Sequence, residues 1–191
     1  LESFRSLELS IIKRVHDKGQ AIIISTDAFV MSVRQFDTNA TEYTNVQLDS
    51  IHRVQIPGNL TQFAMDSNYS ELYSIVTMFH NDSHPYQPMT NSTIQLCSSV
   101  VIDVKLRNST TTGIAVHETT MDPILVTFQL EERFSSSSSI KNDSEVRCGA
   151  WSASDQEWST DNCTTTILHD NSLVTCACHR ITSFALFKIE T

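Results

Sequence analysis

The most distinctive pattern of cysteines and tryptophans lies near the C-terminal end: Cys-Gly-Ala-Trp at 148–151, then Trp158, then Cys163, then Thr-Cys-Ala-Cys-His-Arg-Ile-Thr-Ser-Phe-Ala-Leu at 175–186. Four of the five cysteines fall in this stretch, which is typical of a disulfide framework formed in an oxidising compartment. Four cysteines allow three pairings, and their spacing does not choose among them. Zinc sites usually have paired Cys-X2-4-Cys motifs, whereas Cys176 and Cys178 have one residue between them. We therefore expect disulfides and no metal site.

The fifth cysteine, Cys97, lies in the apolar run 94–101. Free cysteines are often buried and behave as small apolar side chains. We expect Cys97 to be a buried thiol, or half of a bridge to a segment outside this sequence, rather than a nucleophile.

Asparagine indicates the same compartment. Of ten asparagines, eight begin an Asn-X-Ser/Thr triplet without proline in the middle: Asn39, Asn59, Asn68, Asn81, Asn91, Asn108, Asn142 and Asn162. Chance would supply only about two or three such triplets in a chain this rich in Ser and Thr. The excess predicts a secretory-pathway glycoprotein with N-glycans on surface loops.

Composition narrows the possible partners. The chain has 191 residues, 40% of them hydrophobic, and a formal net charge of −9 at pH 7. So acidic a surface repels phosphate, which argues against nucleic acid and anionic lipid as partners. No apolar run reaches the ~18–20 residues needed to span a bilayer, so we expect a soluble protein or a soluble part of a longer one. Phosphate-binding loops and nucleophile elbows are also absent, so we expect neither a cofactor nor an enzyme acting on an external substrate.

Hydrophobic periodicity predicts a short N-terminal helix followed by β-structure. Apolar residues recur at helical spacing over residues 1–18, and Gly19 follows as a stop. After it come short β-rich runs at Ala21–Ser25, Phe29–Phe36, Ile51–Ile56, Leu72–Phe79, Ile94–Leu106, Pro123–Leu130, Glu145–Ala150, Leu173–His179 and Ser183–Ile189. Without helices between them, these runs favour a mainly β fold, an antiparallel β-sandwich. The serine run 135–139 is predicted to be a disordered loop.

The C-terminal pattern resembles the GPCR proteolysis site (GPS) motif, which closes the GAIN domain of adhesion G-protein-coupled receptors and of polycystin-like proteins. The order Cys, Trp, Trp, Cys, Cys-X-Cys and then Thr-X-Phe-Ala carries the resemblance. It implies a helix at 1–19 that ends a helical subdomain, and a β-sandwich GAIN subdomain B at 20–191 with the motif at 148–188. It also implies the disulfides Cys148–Cys176 and Cys163–Cys178, with Trp151 and Trp158 packed in the core beside them.

Members of that family cut their own chain. By resemblance the bond lies between Ile181 and Thr182, where the Thr hydroxyl would attack the preceding carbonyl and water would split the resulting ester. The base in the family is a His, but this chain has Arg180 at that position and its histidine, His179, one residue earlier. A guanidinium has no acceptor lone pair and stays protonated, so Arg180 cannot take the proton. Adjacent strand residues point to opposite faces, so we expect His179 to face away and cleavage to be lost or slow.

The resemblance further implies a tethered agonist, a strand that activates the receptor's own seven-helix transmembrane domain when it is released. Its residues would be Thr182, Ser183, Phe184, Ala185, Leu186, Phe187 and Lys188, the last where the family usually has an apolar residue. The expected location is the extracellular face of the plasma membrane, where protein ligands could bind. The alternative is a secreted or polycystin-like adhesion module with no agonist role.

Overall fold

The computed structural model describes residues 2–15, 20–36, 41–58, 71–80, 85–86, 94–108, 119–130, 144–168 and 172–190. Its elements are α1 (Glu2–Ile12), β1 (Ala21–Ser25), β2 (Phe29–Phe36), β3 (Thr44–Gln47), β4 (Arg53–Ile56), β5 (Leu72–His80), β6 (Ile94–Leu96), β7 (Val100–Asn108), β8 (Thr119–Gln129), β9 (Ser144–Ser152), β10 (Glu157–Ser159), β11 (Cys163–Leu168), β12 (Leu173–Arg180) and β13 (Ser183–Glu190). The serine run 135–139 lies outside the described residues.

Within the described residues the strands form two antiparallel sheets. The large sheet has the order β1-β2-β5-β7-β13-β9-β10, with β6 also paired to β13. The small sheet has the order β11-β12-β8-β4-β3. The predicted antiparallel β-sandwich is therefore confirmed.

The sandwich core forms because alternate residues of each strand point inward. On β7 the inward residues are Ile102, Val104 and Leu106, all at most 2% exposed. Val126 and Phe128 of β8 meet them from the small sheet. This core encloses the apolar side chains of both sheets, which is the main source of stability of such a fold.

The outer face of the large sheet has a second apolar cluster, made with α1. Ile11 and Ile12 pack with Met31 and Val33 of β2 and with Ile75 of β5. The strands β2 and β5 are thus covered on both faces, which explains why each has apolar side chains on both faces.

The observed elements differ from the predicted ones in several places. The helix ends at Ile12, and Arg14 and Val15 bond to carbonyls three residues back, which tightens the last turn. The predicted strand 94–106 is split at residues 97–99. Three strands were not predicted, β3, β10 and β11, since their four, three and six residues are mostly polar and they lie at sheet edges.

No helix among the described residues is long and apolar enough to span a membrane.

Asp49 closes the hairpin between β3 and β4. Its carboxylate accepts from the backbone N–H groups of Ile51 and His52, at 2.8 and 2.6 Å, and lies 2.7 Å from His52 Nδ1. Partial burial opposes ionisation, but the bonds from His52 and Ile51 outweigh it and lower the pKa of Asp49 below its ordinary value. The folded state therefore favours the ionised carboxylate.

We predict that Asp49→Asn lowers the free energy of unfolding by about 1 kcal/mol at pH 7, a modest figure because the side chain is partly exposed. Because the pKa of Asp49 is lower in the folded state, its carboxylate stabilises the fold fully above the ordinary pKa of about 3.9. This contribution is lost as the pH falls through the folded-state pKa. The difference between wild type and variant should thus shrink as the pH falls below the ordinary pKa of about 3.9. Urea unfolding of both proteins at pH 7 and at a pH below about 3.9 measures this difference in the free energy of unfolding. Asp161→Asn, in an exposed turn, is the control. A difference that does not change with pH would contradict the prediction.

Candidate functional site

The predicted cleavage site lies where the chain passes from one sheet to the other. β12 belongs to the small sheet and β13 to the large one, so residues 181 and 182 cross the sandwich. Ile181 is 2% and Thr182 5% exposed, and Ile181 belongs to the sandwich core. The bond between them is thus shielded from bulk water by its own side chains.

The hydroxyl of Thr182 already has a hydrogen-bond partner. It donates to the backbone carbonyl of Trp151 at 2.7 Å, while the Thr182 carbonyl accepts from the Val104 N–H at 3.0 Å. An amide carbonyl accepts a hydrogen bond but is far too weak a base to remove a proton. In this geometry the bond positions the hydroxyl without activating it.

His179 contacts a different strand. Its side chain is exposed, and Nδ1 lies 3.1 Å from the carbonyl oxygen of Thr120 on β8. A carbonyl only accepts, so this contact requires the proton on Nδ1. The β12–β8 pairing is irregular here, with Cys178 opposite Ile124 and Arg180 opposite Thr119. The irregularity brings His179 to Thr120, whereas the Thr182 hydroxyl is directed to Trp151.

Arg180 is half-buried and acts electrostatically on the turn between β9 and β10. Hydrogen bonds from Ser152 and Ser154, together with the positive charge of Arg180, lower the pKa of Asp155 in that turn. The positive charge of Arg180 thus acts on the Asp155 carboxylate, and its guanidinium offers no acceptor for a hydroxyl proton.

Two disulfides hold the strands that lead into the site. Cys148 on β9 and Cys176 on β12 join the two sheets, with Cα atoms 5.6 Å apart. Cys163 and Cys178 lie opposite each other on β11 and β12, with Cα atoms 4.2 Å apart. These are the pairs that the resemblance implied. In the chain-entropy account, closed loops of 28 and 15 residues stabilise the folded state by about 3–4 kcal/mol each.

β13 is buried on both faces. Phe184 and Leu186 point into the sandwich core and are 0% exposed. Ala185 and Phe187 point to the outer face of the large sheet, at 0% and 2% exposed. Lys188 is half-buried. The strand therefore has no solvent-facing side over its central four residues.

Both edges of β13 are also paired. One edge pairs with β9 from Phe184 to Glu190, and the other with β7 and then with β6. In the gap between β6 and β7, the Leu186 N–H donates to the Ser98 hydroxyl at 3.3 Å, and the Cys97 N–H donates to the Leu186 carbonyl at 2.9 Å. Cys97 is buried and outside both disulfides, so it is present as a thiol.

An aromatic cluster covers β13 on the outer face. Trp158 lies 5.2 Å from Phe187 and 5.4 Å from Trp151, between ring centroids, and Tyr86 packs on both tryptophans. Both tryptophans pack in an apolar cluster, as expected, but this cluster lies on the outer face of the large sheet and not beside the disulfides. Cys148 points into the sandwich and Trp151, three residues along β9, points to the other face, as the two-residue period of a strand requires.

Gly149 makes room for the Phe187 ring. It lies opposite Ala185 on the neighbouring strand, and a Cβ there would come within 2.5 and 2.7 Å of two Phe187 ring atoms. Sequence reasoning missed this residue and Ser98. A glycine inside a strand signals a close approach and could have indicated Gly149, but no comparable pattern marks Ser98.

Two of the predicted glycosylation sites lie in the described residues. Asn108 ends β7, and Asn162 is exposed in the turn before β11. The other six lie outside the described residues: Asn39, Asn59, Asn68, Asn81, Asn91 and Asn142.

We predict that Gly149→Ala destabilises the protein by about 1–3 kcal/mol, because the new methyl group overlaps the Phe187 ring. Hydrogen exchange should become faster at the amides of β13, and the midpoint of chemical unfolding should fall.

The matched control is Phe187→Leu, alone and combined with Gly149→Ala. A smaller side chain at 187 relieves the overlap, so the double variant should lose less stability than the sum of the single variants. Strictly additive losses would contradict this account of Gly149.

The family and the fold of this chain were compared with those of known proteins. The family description "GPS: GAIN subdomain B" matches residues 15–188. Among solved structures, the full extracellular region of zebrafish Gpr126/Adgrg6 is similar, with a TM-score of 0.58 and 17% identity over 89% of this chain and 24% of that chain. At that identity the likeness concerns the fold, and a search of curated proteins found no match. Since the family match covers most of its length, this chain belongs to the GPS/GAIN subdomain B family.

Proposed function

We propose that this chain is the extracellular GAIN/GPS regulatory domain of an adhesion G-protein-coupled receptor, and that β13 is its latent tethered agonist. The observation that carries the proposal is the burial of β13: it is internal in the large sheet, with Phe184, Ala185 and Leu186 at 0% exposure. A strand bound in this way can activate a partner only after it leaves the sheet. The partner would be the receptor's own seven-helix domain, and other extracellular proteins could act on the domain as ligands.

Release of β13 would need energy from outside the domain. Leaving the sheet breaks the ladders with β9, β7 and β6 and exposes Phe184, Leu186 and Phe187. Each of these side chains contributes about 1.5–3 kcal/mol by burial. We therefore propose that the domain is a mechanical or ligand-driven regulator at the cell surface.

We further propose that self-cleavage between Ile181 and Thr182 is lost or slow. The Thr182 hydroxyl donates to the Trp151 carbonyl, His179 contacts Thr120, and Arg180 has no lone pair to offer. Each of these observations removes a route by which the proton could leave the hydroxyl. The agonist strand would then act while still joined to β12.

The measurement for cleavage is the intact mass of the denatured, enzymatically deglycosylated protein. Cleavage would release the ten residues 182–191 and lower the mass by that peptide. We expect a full-length mass for wild type, because no base is available to Thr182. Arg180→His should increase the amount of that peptide, since it restores a base two residues before Thr182.

Two controls accompany this experiment. The double variant Arg180→His/Thr182→Ala should stay intact, because it lacks the nucleophile. A wild-type mass already lighter by the ten-residue peptide would overturn the proposal on cleavage, and His179→Ala would then test whether His179 acts as the base.

The agonist role is tested with a synthetic peptide of residues 182–190, applied to cells that express the membrane part of the parent receptor. We expect a G-protein response, and about a tenfold or larger loss of potency for the Phe184→Ala peptide, because large apolar anchors dominate such contacts. The alternative function, a secreted or polycystin-like adhesion module, predicts no response to either peptide. The secreted form of this alternative also predicts a parent chain without apolar segments of about 20 residues.

A further inference from the structure

A row of charged side chains runs across the outer face of the large sheet on β7. Asp103, Lys105 and Arg107 alternate with the core residues of that strand and share its outer face. Asp103 is 3% and Arg107 8% exposed. Burying charged groups costs desolvation free energy unless they are paired. The role of these three side chains therefore depends on their partners.

The partner at one end is Glu8 of α1, which is 1% exposed. Its carboxylate lies 3.0 Å from Lys105 Nζ and 3.0 Å from Arg107 Nε. Lys105 Nζ lies 2.6 Å from Asp103 as well, so one ammonium group joins the two carboxylates. Two acidic and two basic groups thus balance in charge.

The partner at the other end is Ser183, the first residue of β13. The Ser183 hydroxyl lies 2.8 Å from the second carboxylate oxygen of Asp103 and also contacts the Tyr86 hydroxyl. Burial and the negative charge of Asp103 raise the pKa of Tyr86, which keeps this hydroxyl protonated. The chain Glu8–Lys105–Asp103–Ser183, which we call the polar chain, therefore connects α1 to the residue that follows Thr182.

The space beside the polar chain gives Lys105 room to move. A cavity of about 780 Å³ is lined by residues of α1 and of the aromatic cluster and by the charged residues Asp103, Lys105 and Arg107 of β7. Without Glu8, the flexible lysine side chain can turn into this cavity toward water. Asp103 would then lose the cation that holds its carboxylate in place for Ser183.

We infer that Glu8 is a positioning residue for β13: through Lys105 and Asp103 it determines how firmly Ser183 holds the start of the strand. Displacement of α1 would then loosen the N-terminal end of β13 without any contact to β13 itself. The consequence for signalling rests on the proposed function, whereas the physical link between α1 and β13 does not.

The test is a double-mutant cycle of Glu8→Gln and Ser183→Ala, read out by hydrogen exchange at the amides of β13 under native conditions. Glu8 and Ser183 do not touch, and distant sites without a shared network usually give additive effects. We expect the effect of Ser183→Ala on the opening equilibrium of β13 to be smaller in the Glu8→Gln background by about threefold or more. An equal or larger effect in that background would overturn the inference.

Two matched controls distinguish the polar chain from general loosening. Ile12→Val weakens the apolar packing of α1 without changing charge, and Glu145→Gln removes an exposed carboxylate from β9, which pairs with β13. Both should be additive with Ser183→Ala, and the same coupling with Ile12→Val would overturn the inference.

Should Glu8→Gln fail to fold, Glu8→Asp serves in the same cycle, since it keeps the charge but is too short to reach both cations. Failure of the peptide experiment would refute the agonist role and leave this result unaffected. An additive cycle would refute the polar chain and leave the agonist role unaffected.

Discussion

The backbone pairing of β13 on both of its edges is the constraint on which the rest of the structure depends. The strand joins β9 to β7 and β6 in the large sheet, and its side chains supply parts of both the sandwich core and the outer aromatic cluster. The position of β13 also explains two residues of the neighbouring segments. Gly149 makes room for the Phe187 ring, and the Ser98 hydroxyl accepts from the Leu186 N–H in the gap between β6 and β7. A buried N–H without a partner would cost about 1–3 kcal/mol, so such details are needed for the strand to stay in place.

The same constraint shapes the chemistry at the crossing between the sheets. Because β12 and β13 belong to different sheets, the Ile181–Thr182 bond lies in the interior, and the disulfides fix β12 just before it. A nucleophile in such a place needs a base within hydrogen-bond reach. The carbonyl of Trp151 occupies that position instead. This arrangement is the basis of our proposal that the strand is held in the sheet and is not cut.

Much of the fold could be predicted because the signals are local. Short runs of β-forming residues such as 29–36 and 72–79 indicated strands, and helical spacing indicated α1. The short polar strands β3, β10 and β11 carry no such signal, since edge strands bury little apolar surface. The disulfide pairs came from the resemblance, because four cysteines leave three pairings open and the choice depends on which strands meet.

By itself, the sequence determined the class of fold, because runs of β-forming residues follow one another without helices between them. It also supplied the Asn-X-Ser/Thr triplets and the family resemblance on which the hypotheses of secretion and of lost cleavage rest. Only the tertiary structure decided what surrounds β13. The Thr182–Trp151 bond joins residues 31 apart, the Ser183–Asp103 bond residues 80 apart, and the Lys105–Glu8 pair residues 97 apart. Contacts at such separations depend on the order of strands in the sheet, which the pattern of apolar and polar residues along one strand does not encode.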